Sequence, residues 1–206
     1  MHPIRLRGLF VRPLAQRVRD WLDAGKLDED GLDDALSADA RAFVDHPITV
    51  DAWAPLEDVE GLVGLAAAQL GGEASLVDWA DEIVAGWLEE PSVADLVSAG
   101  RRLVDGPGFV LATMGEQLLD EAVWGYEGGR ESFSVCLEGL DHASPDLKAL
   151  LGACLARVAA AADPDRFDVR VEGVDAEALV VFGALADAGE PGDDAEHRLH
   201  RAALIP

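Results

Sequence analysis

The sequence predicts an α+β fold: five or six helices followed by a small antiparallel sheet in the order strand, helix, strand, strand. Three observations carry that expectation. Apolar residues recur every three or four positions from Leu14 to Leu119, the spacing of one helix face. At Ser132 the period drops to two, with Phe133, Val135 and Leu137 on one side and Ser132, Ser134, Cys136 and Glu138 on the other. Two more extended runs, FDVRVEG and ALVVFGAL, then stand either side of a turn. Helices first and strands last is the layout of helices packed on an antiparallel sheet.

Residues Ile4 to Val11 read as an extended lead-in, and Pro13 suits the first turn of a helix. Leu14, Val18, Trp21 and Leu22 continue that helix to Gly25. The acidic stretch KLDEDGLDDALSADARAFVDHP holds one short helix anchored by Leu27, Leu32, Leu36 and Phe43, and Pro47 stops it. Trp53 and Pro55 precede a helix with Leu56, Val59, Leu62, Val63, Ala66 and Leu70 on its apolar face, closed by Gly71 and Gly72. The next helix has Ser75 and Asp78 as a capping-box pair, and a continuous face of Leu76, Trp79, Ile83, Val84 and Trp87. Ser92 caps a further helix carrying Val93, Leu96, Val97 and Leu103. DGPG at Asp105–Gly108 breaks the pattern, and a helix follows from Phe109 to about Val123.

After the first strand, Ser144 is a natural N-cap and Pro145 a natural first helical residue. Asp146 sits in the first turn, where the helix dipole favours it. This helix runs to about Ala162, with Leu147, Leu150, Leu151, Cys154, Leu155 and Val158 as its stripe. Phe167, Val169 and Val171 face inward on the next strand; Gly173 to Glu177 form the hairpin turn; the last strand is apolar on both faces. One domain over residues 1–184 is expected, with a helical part (1–125) and a strand–helix–hairpin part (131–184). Residues 185–206 read as a tail, either mobile or docked by its last apolar residues.

Charge excludes some functions. The chain has 206 residues, 40 acidic against 16 basic, and a formal charge of −24. Such a surface repels phosphate backbones, which argues against nucleic-acid binding. From Ala42 to Gly100 there is no Lys or Arg but twelve Asp or Glu, a solvated acidic face or a docking face for a basic partner. Arg5, Arg7, Arg12, Arg17 and Arg19 precede it, able to pair with it within one chain or across a dimer. No apolar core follows these arginines, as a signal peptide would need, and no run is long enough to span a membrane. A cytoplasmic protein with reduced thiols is the expectation.

No motif identifies a reaction. Cys136 and Cys154 are the only cysteines, and periodicity separates them: Cys154 on an apolar helix stripe, where cysteine behaves as a small hydrophobe, Cys136 on the opposite strand face from Phe133, Val135 and Leu137. With His142 they make a loose triple, without the tight ligand pairs of a zinc site. A phosphate loop, a dinucleotide-binding turn, a serine-hydrolase elbow and a zinc-protease helix are all missing. No metal and no cofactor is expected. Trp53, Trp79, Trp87, Trp124 and Tyr126 are either core or the lining of an apolar ligand pocket.

Two segments carry a family resemblance. RLRGLFVRPLAQRV leads through a helical run to HPITVDAWAPLEDVEGLVGLAAAQL, and YEGGRESFSVCLEGLDHASPDLKALLGACLARVAAAADPDRFDVRV follows. Together they resemble an uncharacterised paralogous family of myxobacterial proteins. That family in turn resembles the superfamily of haem-based nitric-oxide sensor domains, vinyl-reductase-like domains and vesicle-tethering TRAPP subunits. The resemblance implies an α+β scaffold, an apolar cavity and dimerisation through the N-terminal helices. It implies no haem ligand here, because the haem sensors hold iron through a histidine on a central helix, and Leu56 to Val123 contain none. It implies no cysteine-bound metal either.

The expected function is a non-enzymatic cytoplasmic adaptor or regulatory module, homodimeric, acting on a protein partner that is basic if the acidic face docks it. The alternative is a haem-free sensor that binds a small hydrophobic ligand in an internal pocket near Trp53, Trp79, Trp87, Trp124 and Tyr126. A third reading is an enzyme with Cys136 as nucleophile.

Overall fold

A computed structural model describes residues 4–120, 122–129, 131–140, 142–174 and 178–186. Its element order is β1 (Arg5–Arg7), α1 (Gly8–Asp23), α2 (Glu29–Ala35), α3 (Ala38–Asp45), β2 (Trp53–Pro55), α4 (Leu56–Leu70), α5 (Glu73–Glu89), α6 (Pro91–Gly100), α7 (Gly106–Leu118), β3 (Leu119–Asp120), β4 (Val123–Gly128), β5 (Ser132–Glu138), α8 (Pro145–Ala160), β6 (Phe167–Val174) and β7 (Ala178–Leu185). The fold class is α+β, as the periodicity predicts. Among the described residues there are eight helices and two antiparallel sheets, ordered β2–β1–β3 and β4–β5–β7–β6.

The first sheet is an addition to the sequence reading. Its strands are two or three residues long, too short to show a period. Leu6 sits at its centre, fully buried, opposite Ala54 and Leu119. The lead-in ends at Arg7 and the helix begins at Gly8, so Pro13 lies inside α1 rather than at its start. A proline there removes an N–H that would bond the carbonyl four residues earlier, which is the Leu9 oxygen. Trp87 of α5 supplies the missing donor: its Nε1 donates to Leu9 O at 2.9 Å, in the core. The Trp87 ring also stacks against Phe10, with centroids 6.2 Å apart.

Other boundaries shift for local reasons. The acidic stretch folds as two helices, because Ser37 caps α3 through Ala40 N at 3.0 Å. Asp28 caps α2 through Gly31 N at 2.7 Å. Arg41 holds the pair together, bridging Glu29, Asp33 and Asp45. Ser75 and Ser92 cap nothing: α5 starts at Glu73 after Gly72, and α6 starts at Pro91 after Glu90. Leu103 lies beyond α6. The DGPG segment begins α7 instead of separating two helices, and α7 stops at Leu118, leaving WGYEG to form β4. Gly71 ends α4 at φ +95°, as expected of a glycine stop.

The second half agrees closely with the periodicity. Ser144 caps α8 through Leu147 N at 3.2 Å. On β5, Phe133, Val135 and Leu137 are buried, with Ser134 and Cys136 half-buried on the other side. The turn expected at Gly173–Glu177 includes residues 175–177, which lie outside the described set, as does the tail from residue 187. α8 is buried on nearly every side: α4, α5 and α7 cover one flank, β6 and β7 the other. Gly152 permits that approach, since a Cβ there would lie 2.8 Å from Leu179.

The five N-terminal arginines are paired inside the chain: Arg5 with Asp120, Arg7 with Asp51, Arg12 with Glu90, Arg17 with Glu82 and Arg19 with Asp45. Four of those acids belong to the basic-free stretch from Ala42 to Gly100. Exposed pairs of this kind contribute about 0–1 kcal/mol each. No described helix is long and apolar enough to cross a membrane.

The Pro13–Leu9–Trp87 arrangement makes a testable prediction. Trp87→Phe leaves the Leu9 carbonyl buried and unbonded and costs about 1–3 kcal/mol of unfolding free energy, read by urea titration. In a Pro13→Ala background the restored N–H serves Leu9, and the cost of Trp87→Phe falls measurably. Equal costs in both backgrounds would refute the compensation.

Candidate functional site

The five aromatic candidates separate into groups. Trp87 and Trp79 are buried on α5 and face α1, where the Arg17 guanidinium lies 5.3 Å from the Trp79 ring centroid. Trp53, half-buried on β2, lies 5.9 Å from each of the Arg5 and Arg7 guanidinium groups. Trp124 and Tyr126 come together on β4, two residues apart and so on one face of the strand. They stand opposite Leu137 and Val135 of β5.

That face of β4 meets α7, and the contact is made by glycine. A Cβ on Gly115 would lie 2.0–2.3 Å from the six-membered ring of Trp124. A Cβ on Gly108 would lie 2.8 Å from Tyr126 Oη and 3.1 Å from Phe133. Gly108 and Gly115 are two helical turns apart, hence on one side of α7. The helix therefore presents two sockets, and two strands fill them with rings. Glycine inside a helix costs about 1 kcal/mol relative to alanine, so this spacing is the signal that identifies the site in the sequence. β4 is an edge strand: all six of its residues pair with β5, and its other side chain packing is against α7.

Two polar features mark the seam. Trp124 is half-buried, yet its Nε1 is wholly enclosed and has no hydrogen-bond partner. A buried donor left unmade costs about 1–3 kcal/mol. Tyr126 Oη donates to Asp105 Oδ2 at 3.0 Å. Burial first, then that hydrogen bond and the negative charge of Asp105, push its phenol up to about 12. Asp105 is also the N-cap residue of α7. Beside it lie the four exposed large apolar side chains among the described residues: Leu103 (43%), Val104 (57%), Phe109 (37%) and Tyr126 (42%).

The remaining candidates are dispersed. Cys154 is fully buried in α8, and burial pushes its thiol far above the usual range. Cys136 is half-buried on the outer face of β5, and no disulfide joins the two. His46 and His142 are exposed, at the end of α3 and in the loop before α8. No group of three or more His, Cys, Asp or Glu among the described residues is arranged to hold a metal. A shallow groove with room for about one water runs between α1 and α3, lined by Arg12, Ala15, Arg19, Phe43 and Ile48.

No family model matches the chain, and no curated protein matches it. Among solved structures it is similar to the Fe(II) unliganded H-NOX protein from K. algicida, with a TM-score of 0.59 and 9% identity. The match covers 90% of this chain and 100% of that one. The chain has a haem-NO-binding-like fold. The residues present do not fit a haem. α4 to α7 carry no histidine, the thiol of Cys154 is held in its protonated form by burial, and thiolate is the form that ligates iron. Trp124 and Phe133 occupy the space between α7 and the sheet.

The chain has a single tyrosine, so absorbance at 295 nm reads Tyr126 alone. Its midpoint should lie near pH 12, against about 10 for a free phenol. Asp105→Asn should lower it only in part, because burial, the largest cause, remains. Because the folded value is raised, the stabilisation by the neutral phenol is complete below about pH 10 and is lost between about 10 and 12. Thiol titration with Ellman's reagent should leave Cys154 unmodified in the native protein and modify it on unfolding in urea.

Proposed function

We propose that this chain is a haem-independent sensor domain that takes a small apolar ligand at the α7–β4 seam, between Gly115 and Trp124. The unpartnered Trp124 Nε1 carries the reading: it is an enclosed donor whose complement would be an acceptor on the ligand. The H-NOX-like fold supports a ligand-binding role over a purely structural one, and the glycine socket supports the location. A Trp124 ring that slides off Gly115 with its Nε1 still inside the seam leaves a vacated space against the helix backbone. A ligand that prefers the vacated form shifts the population towards it. Because β4 is an edge strand, its displacement is the output. The ligand is uncharged, about the size of an indole, and has one hydrogen-bond acceptor. Trp53, Trp79 and Trp87 then support the fold, while Trp124 and Tyr126 meet the ligand.

A second reading, a non-enzymatic adaptor acting through a protein partner, is favoured by the exposed apolar side chains around Asp105. It is compatible with the first, since Tyr126 belongs to both surfaces.

The test is a thermal-shift and NMR screen with uncharged one- and two-ring carbonyl compounds. A binder present at one hundred times its Kd stabilises by about 2.7 kcal/mol, several degrees in Tm. The Trp124 indole N–H resonance, assigned through Trp124→Phe, should move on binding, and Gly115→Ala should abolish the shift. If no compound perturbs Trp124, and native mass spectrometry finds none carried through purification, the reading fails.

A further inference from the structure

The helices packed on the four-stranded sheet, α7 and α8, take the same face of it. Gly108 of α7 approaches Phe133 of β5, and Gly152 of α8 approaches Leu179 of β7. Leu179 and Val181 are buried on that side. Val180, Phe182 and Ala184 alternate to the other side, where they are half-buried. A strand apolar on both faces belongs to a sheet with a layer on each side. β7 has that composition and, among the described residues, a helical layer on one side.

The register makes this second face continuous. Ser134 of β5 pairs with Glu127 of β4 on one side and with Phe182 of β7 on the other, and Phe182 pairs with Arg170 of β6. In the next row, Cys136 pairs with Gly125 and with Val180. Side chains confirm the facing: the Arg170 guanidinium lies 5.7 Å from the Phe182 ring centroid, and Glu172 reaches Arg170 at 3.5 Å. The apolar part is thus a stripe along β7, edged by Ser134 and Cys136. Exposed carboxylates flank it, Glu127 on β4 and Asp168 and Glu172 on β6. From β4 to β6 is about 14 Å, three strand spacings, and an α-helix with its side chains is about 10–12 Å wide. One helix laid on the stripe has an acidic row beneath each flank.

We infer that this face docks a basic amphipathic helix of another protein. The apolar side of that helix lies on Val180, Phe182 and Ala184. Its lysines or arginines extend along their stems to Glu127 on one flank and to Asp168 and Glu172 on the other. A second copy of this chain does not suit the face, because it would set carboxylates against carboxylates. An anionic membrane fails for the same reason. Trp124 meets α7 on the opposite side of the sheet, so the inference does not rest on a ligand there.

Fluorescence anisotropy tests this on the full chain, with a labelled leucine–lysine amphipathic peptide at physiological ionic strength. The peptide should bind, and a scrambled peptide of the same composition should bind roughly tenfold more weakly. Phe182→Ser should weaken binding roughly tenfold. Glu127→Lys/Asp168→Lys should do the same, and it changes only exposed side chains, so it decides the matter if Phe182→Ser does not fold. Asp34→Lys/Asp95→Lys makes the same change of charge on α2 and α6 and should leave binding within about twofold. A spin label on the bound peptide should broaden the amide signals of Ser134, Val180 and Phe182 first. No binding, equal binding of the scrambled peptide, an equal loss in the α2–α6 variant, or broadening centred elsewhere overturns the inference. Self-association of the chain that occludes the same residues without peptide also overturns it, because a second copy is then the occupant.

Discussion

One hydrogen bond sets the geometry of the helical half: Trp87 Nε1 to the Leu9 carbonyl. A proline at position 13 deprives that carbonyl of its helical donor, and a buried orphan acceptor would make α1 unstable where it is most deeply packed. The indole repairs the defect from α5 and in doing so fixes the depth and rotation of α1 against it. The start of α1 is fixed from the other side. Gly8 N donates to Ala52 O at 2.7 Å, and a Cβ on Gly8 would sit 1.9 Å from the Thr49 oxygen. β1, which leads directly into Gly8, then has only one place to lie, between β2 and β3.

The second half is organised by a burial constraint. α8 is covered by helices on one flank and by β6 and β7 on the other, so it cannot have a wet side of normal width. Its composition meets this with small residues set among leucines, and Gly152 lies where Leu179 of β7 and Val171 of β6 approach. Cys154 belongs to that solution as a compact apolar side chain. α7 meets the sheet by a different rule, because its glycines receive rings from β4 and β5 instead of interleaving side chains of similar size. The contrast separates a seam that is closed from both sides from one that is held by single removable rings.

Much of this architecture is legible in the sequence, and the failures have physical causes. The capped start of α8 and the alternation of β5 and β6 are strong because each element has one clear period. β4 escapes notice because Gly125 and Gly128 dilute its strand character. The small sheet escapes because three residues show no period at all. Ser75 and Ser92 look like caps but lie within helices, since a glycine at 72 and a proline at 91 start those helices earlier. At the candidate site, aromatic identity alone singles out Trp124 and Tyr126 along with Trp53, Trp79 and Trp87, whose rings serve three different contacts. Only the glycines opposite distinguish them, and a glycine's meaning depends on what approaches it.

The Gly115–Trp124 contact bears on how relatives of this chain can be recognised. Ring and socket share one volume, so neither position can drift alone. An ancestor or descendant with alanine or serine at 115 would need a smaller residue at 124, and the exchange would pass unnoticed in a comparison that scores positions separately. At 9% identity to a chain of similar fold, paired volumes of this kind carry information that single matches do not. The pair most worth following joins the middle of one helix to the edge of one sheet.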